Sequence, residues 1–139
     1  MLSNKVLHKT VQDIKNIAGF DCAVWDRKGT CLVMTHEKMQ KCEKQVQELW
    51  QDADENLEIL REKQGFFFVF DEENPIYLLA LEGEPANMEM AGRMGVSQLT
   101  SLLTAYKDKL DKNRFIQNLL LDNLLLVDIY NQADKMGIA

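Results

Sequence analysis

No stretch of the 139-residue sequence approaches the roughly 20 consecutive apolar residues that a membrane-crossing helix needs; the longest runs are 66–70, 76–81 and 124–127. Lys5 and Lys9 interrupt the first residues too soon for the apolar core of a signal peptide. Cysteine is scarce and odd in number. Cys22, Cys31 and Cys42 contain no C-x-x-C spacing, which excludes a disulfide framework and a four-cysteine zinc site and suits a reducing cytosol. The two histidines, His8 and His36, have no Cys or Asp at metal-ligand spacing, so no metal is expected. A Gly-x-Ser-x-Gly elbow is missing, as are the glycine-rich loops that cradle phosphates, and with them the signatures of an enzyme or of a nucleotide cofactor. Sixteen Lys and Arg against 22 Asp and Glu give a net charge of −6, the wrong sign for a surface that tracks nucleic-acid phosphates. These absences leave a soluble, cytoplasmic, non-enzymatic protein without membrane contact as the expectation.

What the chain does contain is enough apolar sequence for one core, 46% of residues. Leu7, Val11, Ile14 and Ala18 recur at helical spacing and Gly19 follows, which predicts a helix over 3–18. Residues 21–25 and 30–34 are short apolar stretches separated by Asp26-Arg27-Lys28-Gly29, the pattern of a β-hairpin. From Met39 a stripe of Cys42, Val46, Leu49, Trp50, Ala53, Leu57 and Leu60 predicts helix, capped by Thr35 and open to a break at Asp52-Ala53-Asp54-Glu55-Asn56. Phe66 to Phe70 and Ile76 to Leu81 read as two central strands buried on both faces, with Pro85 near the start of a further helix through Leu110.

A small antiparallel sheet flanked by helices is the α+β layout of PAS-, Cache- and GAF-like sensors. The last stretch carries apolar residues on most sides of a helix from 114 to 133. Such a helix should bury a second face, and Phe115, Leu119, Leu126 and Ile129 are the expected dimer interface. The division that follows is a sensing domain over 1–112 and a dimerisation and signalling helix with linker over 113–139.

Isolated features have plainer readings. Cys22 and Cys31 are packing residues on adjacent strands, and Met88, Met90 and Met94 are adaptable filler at a helix start that can also line a pocket. Glu82 and Glu84 sit in a polar turn with nothing to supply a nucleophile. The run Lys38, Lys41, Lys44 with Glu37, Glu43, Glu48 reads as a solvated helical face laced with ion pairs at three- and four-residue spacing.

Leu81-Glu82-Gly83-Glu84-Pro85, with Gly92 nine residues after Gly83 and a long amphipathic helix beyond, resembles the sugar diacid recognition domain of bacterial carbohydrate-diacid regulators. The hairpin Val24-Trp25-Asp26-Arg27-Lys28-Gly29 and the terminal Asn131-Gln132-Ala133-Asp134-Lys135-Met136-Gly137-Ile138 are also similar to that family. Its Gly-, Arg- and His-containing segment after the second strand is replaced here by Met34-Thr35-His36-Glu37-Lys38-Met39. The resemblance implies the N-terminal sensor of a transcription regulator, which binds a small organic acid, dimerises through helices and controls a helix-turn-helix beyond residue 139. An acid ligand needs compensating donors. His36, Arg61, Tyr77, Asn87 and Arg93 are the expected ligand-binding residues, and segment 36–62 the expected cover of the site.

Overall fold

The computed structural model describes residues 2–51 and 58–135, with side chains as far as 121. Helix α1 (Asn4–Ala18) begins where the Ser3 hydroxyl accepts the Val6 N–H and ends at Gly19, whose left-handed backbone (φ 80°) lets its N–H bond the Lys15 carbonyl. The hairpin β1 (Asp21–Asp26) and β2 (Cys31–Met34) turns through Asp26, whose carboxylate accepts the N–H groups of Lys28 and Thr30 at 2.9 Å.

The segment after β2, expected as helix from Met39 with one helix or two left open, does not begin as α-helix. A 3-10 turn, Glu37–Cys42, leads into a short helix α2 (Glu43–Gln51). Thr35 is not the cap: His36 holds that place, its Nδ1 accepting the Lys38 N–H at 3.0 Å. The Thr35 hydroxyl is taken by the sheet instead, accepting the Cys22 N–H at 2.9 Å and donating to Asp21 at 3.1 Å. The residues 52–56, where a break was left open, and Leu57 lie outside the described residues. Leu60, expected at the end of a helix, belongs to a strand, β3 (Glu58–Leu60), which pairs with β4 (Gln64–Asp71). The backbone groups on the outer side of β4 need partners, and that requirement outweighs a helical spacing carried by one or two leucines.

β4 and β5 (Asn74–Glu82) are neighbours in an antiparallel five-stranded sheet of order β2-β1-β5-β4-β3. Alternation sorts their buried residues between the two faces. Phe67, Val69, Tyr77, Leu79 and Leu81 join Cys22 and Val24 under Leu7, Val11 and Ile14 of α1 and Met88, Ala91 and Leu99 of α3 (Met88–Lys135). Phe66, Phe68, Leu78 and Ala80 join Ala23 and Trp25 on the other face, under Met39, Cys42, Val46 and Leu49. A sheet covered on both sides has no polar face, which is why its strands read as unbroken apolar runs. The fold is α+β, with helices on both faces of one antiparallel sheet.

The chain divides into two compact units, Met1–Leu103 and Thr104–Ala139. Helix α3 runs without interruption from Met88, and the two helical stretches expected through 110 and from 114 are one, because nothing in Asp111-Lys112-Asn113 breaks a helix. In the second unit Phe115, Ile116, Leu119, Leu120 and Leu121 are exposed. The side chains of Leu126 and Ile129 lie outside the described residues.

Candidate functional site

The sheet face beneath the 3-10 turn and α2 is lined by large aromatics. Trp25 of β1 is fully buried there beside Phe66, Phe68 and Leu78, and Trp50 at the end of α2 meets Phe68 edge-on with ring centroids 5.2 Å apart. The described part of the cover buries Met39, Cys42, Val46 and Leu49, with Trp50 packed partly buried beside them. Both indole N–H groups, of Trp25 and of Trp50, are buried and have no hydrogen-bond partner among the described residues. A buried donor without an acceptor costs about 1–3 kcal/mol, so such groups are rare unless something else accepts from them.

The rim of this face is charged. Asp21 and Glu82 stand directly opposite each other on β1 and β5. Lys38 reaches Asp21 and Lys41 reaches Glu82, each at 2.7 Å, and Lys15 of α1 adds a second cation to Asp21 at 3.1 Å. Burial alone pushes the Asp21 carboxyl up, but hydrogen bonds from Lys38, Lys15 and Thr35 outweigh it and bring its pKa to about 2. The other Glu82 oxygen, Oε2, is buried without a partner among the described residues. Lys38 and Lys41 therefore do not simply lace a solvated helical face; both cross to the sheet.

The cysteines are placed for packing. Burial pushes the Cys22 thiol up to about 12 and the Cys31 thiol up to about 11, and it raises Cys42 as well. None is a ready thiolate nucleophile. Among the described residues no three His, Cys, Asp or Glu side chains gather as a metal site, and no helix is long and apolar enough to cross a membrane.

The five expected ligand residues do not form one site. His36 is spent on its cap, and the Arg61 guanidinium lies over the Phe66 ring at 5.6 Å. Tyr77 belongs to the opposite face, fully buried, its hydroxyl accepting the Leu2 N–H at 3.2 Å. Asn87 and Arg93 alone share a place, a hollow at the start of α3 with Pro85, Met90, Met94 and Ser97. There Arg93 holds Glu58 in a two-pronged pair (2.8 and 3.1 Å) and also contacts Glu89, and it keeps the Glu58 carboxyl below its usual range. Met90 and Met94 are exposed at this hollow, whereas Met88 is core.

Trp25, Trp50 and the lysines of the 3-10 turn were not among the expected site residues. Parity along β1 puts Trp25 on the face opposite Cys22 and Val24, and the three-residue interval between Lys38 and Lys41 is the period of a 3-10 turn. Those are the signals that lead to them. No family model and no curated protein matches the chain.

Proposed function

We propose that the chain is a non-enzymatic sensing module that takes a small organic acid between its sheet and the 3-10 turn with α2, and that it self-associates through α3 to act on a DNA-binding domain. The observation that carries the ligand half is the pair of buried indole donors, Trp25 and Trp50, that have no partner among the described residues. Two buried N–H groups with no acceptor among the described residues call for an acceptor-rich guest, and carboxylate and hydroxyl oxygens are such acceptors. The resemblance to the sugar diacid recognition domains supports the same ligand class and a PAS-like reading of the sheet with its cover. The hollow with Asn87 and Arg93 supports it less, since two carboxylates already occupy that guanidinium.

Thermal unfolding of the full chain against galactarate, glucarate, glycerate and a neutral sugar tests the proposal. A ligand for the folded state raises Tm saturably, with stabilisation of about 2.7 kcal/mol at a hundredfold excess over Kd. A shift with an acid and none with the sugar is the expected result. No shift with any of the four removes the organic-acid reading. It then favours a ligand-free interaction module, for which the dense filling by Trp25, Phe66, Phe68 and Leu78 speaks.

Self-association rests on the exposed leucine-rich face of α3. Five large apolar residues between 115 and 121, each 47–65% exposed, are a cost in water that a second copy removes. Ile116→Lys with Leu119→Lys places charge in that seam and is expected to weaken dimerisation at least tenfold in sedimentation equilibrium, with the thermal transition of the sheet unit unchanged. An unchanged association constant in a folded double variant overturns the dimer.

A further inference from the structure

We propose that the 3-10 turn Glu37–Cys42 is a latched strap, held to the sheet by a double ion pair and able to lift from the tryptophan-lined face while the rest of the first unit stays folded.

The geometry of the two pairs carries this. Asp21 and Glu82 are cross-strand partners on β1 and β5, and like charges directly opposite each other destabilise a sheet. Two carboxylates in that position need cations, and among the described residues Lys38 and Lys41 bring one to each from the same element. A 3-10 helix has three residues per turn and a rise of roughly 2 Å per residue, so residues i and i+3 stand above one another about 6 Å apart. Facing residues of an antiparallel pair have Cα atoms about 4.5–5.5 Å apart. One turn of 3-10 helix thus matches one cross-strand acidic pair, cation for carboxylate. An α-helix, at 3.6 residues per turn, would leave the second lysine about 60° short of the first.

Apart from the two pairs, the strap is held by two buried side chains and by the Gln64 amide, which reaches the Cys42 sulfur at 3.7 Å. Met39 and Cys42 are its buried side chains, and short 3-10 segments have poorer hydrogen-bond geometry than α-helices. Segments with few buried apolar contacts open at a lower free energy than the core does. Both lysines are about half exposed, at 42% and 55%, which makes the latch sensitive to salt and to competing anions. The strap depends on the sensing role proposed above for its purpose, as the door to the indole donors, but not for its existence.

Cys42 reports on the latch directly. It is 1% exposed beneath the strap, while Cys22, fully buried on the other face under α1, reports on global unfolding. Alkylation of the full chain with iodoacetamide, followed site by site by peptide mass spectrometry, needs no metabolite. Lys38→Met with Lys41→Met is expected to raise the Cys42 rate at least tenfold with the Cys22 rate unchanged. In the unaltered chain, salt raised from about 0.05 M to about 1 M should speed Cys42 and not Cys22. A Cys42 rate that ignores both the substitutions and salt overturns the strap, and so does a parallel rise of Cys42 and Cys22, which marks global unfolding. If the double variant does not fold, the salt series alone decides. A latch that opens in a chain that binds none of the four test compounds leaves the strap standing and removes the organic-acid reading.

Discussion

Gly92→Ala is expected to lower the stability of the sheet unit by about 2 kcal/mol, although alanine is favoured over glycine inside a helix by roughly 1 kcal/mol. Gly92 lies on the buried side of α3, and a methyl group there would overlap the ring of Phe67. Phe67 is 1% exposed, and the same edge of its ring faces Gly65, where a Cβ would come within 2.9 Å of the ring and 3.0 Å of the Met88 sulfur. Two glycines, one on β4 and one on α3, thus make the slot for one phenylalanine, and helix propensity is outweighed by close packing in a dense interior. Urea unfolding of Gly92→Ala, Phe67→Leu and the double variant checks this. Phe67→Leu alone should cost about 1–3 kcal/mol for its lost volume. The double variant should be less destabilised than the sum, by at least about 1 kcal/mol, because a smaller side chain admits the methyl. Strict additivity would show that the ring and the glycine do not constrain each other.

The same glycine shows how far a sequence can be read. In the sequence Gly92 stands out only by its interval from Gly83, and the interval carries no reason. The reason is Phe67, distant in sequence and adjacent across the helix–sheet contact. Gly83 is similar: a Cβ there would meet the Phe20 ring at 2.7 Å, a neighbour that no local pattern names.

Periodic features were legible wherever both partners of a contact lie within one element. The runs 66–70 and 76–81 are strands because aromatic and branched residues fill both faces. Helix α1 ends at Gly19 as its spacing implies. The charged segment after β2 was not legible, because a 3-10 turn followed by a helix presents nearly the same apolar spacing as one helix. Its lysines looked solvated for the same reason: their partners, Asp21 and Glu82, sit at strand ends outside the segment. Arg93 was half legible. Glu89 is its i−4 neighbour, but Glu58 reaches it from β3. Tyr77 could have been excluded from the covered site by parity alone, since it alternates with Leu78 and shares its face with Leu79 and Leu81.

Asp21→Asn should cost about 2 kcal/mol at neutral pH, and the cost should fade in acid. Four elements face this carboxylate: Lys15 from α1, Lys38 from the 3-10 turn, Thr35 from the end of β2 and, across the ladder, Glu82 from β5. Its side chain is 9% exposed, so water screens these contacts weakly. The folded pKa of about 2 lies below the ordinary 3.8, so the unfolded chain binds the proton more readily. Stability from Asp21 is therefore complete above about pH 5 and is lost as pH falls through 4 toward 2, while both lysines stay charged. A depression of nearly two pKa units corresponds to about 2 kcal/mol. Glu58, lowered by Arg93, adds acid sensitivity of the same sign in both proteins and cancels in their difference. Urea midpoints of the unaltered chain and of Asp21→Asn at pH 7, 5, 3 and 2 should converge across the last three. A gap that stays constant to pH 2 would mean that the Asp21 side chain acts through its shape and neutral hydrogen bonds. Convergence would mean that its charge ties α1 and the strap to the same corner of the sheet, so that releasing Lys38 alone leaves Lys15 to hold Asp21 in the folded core.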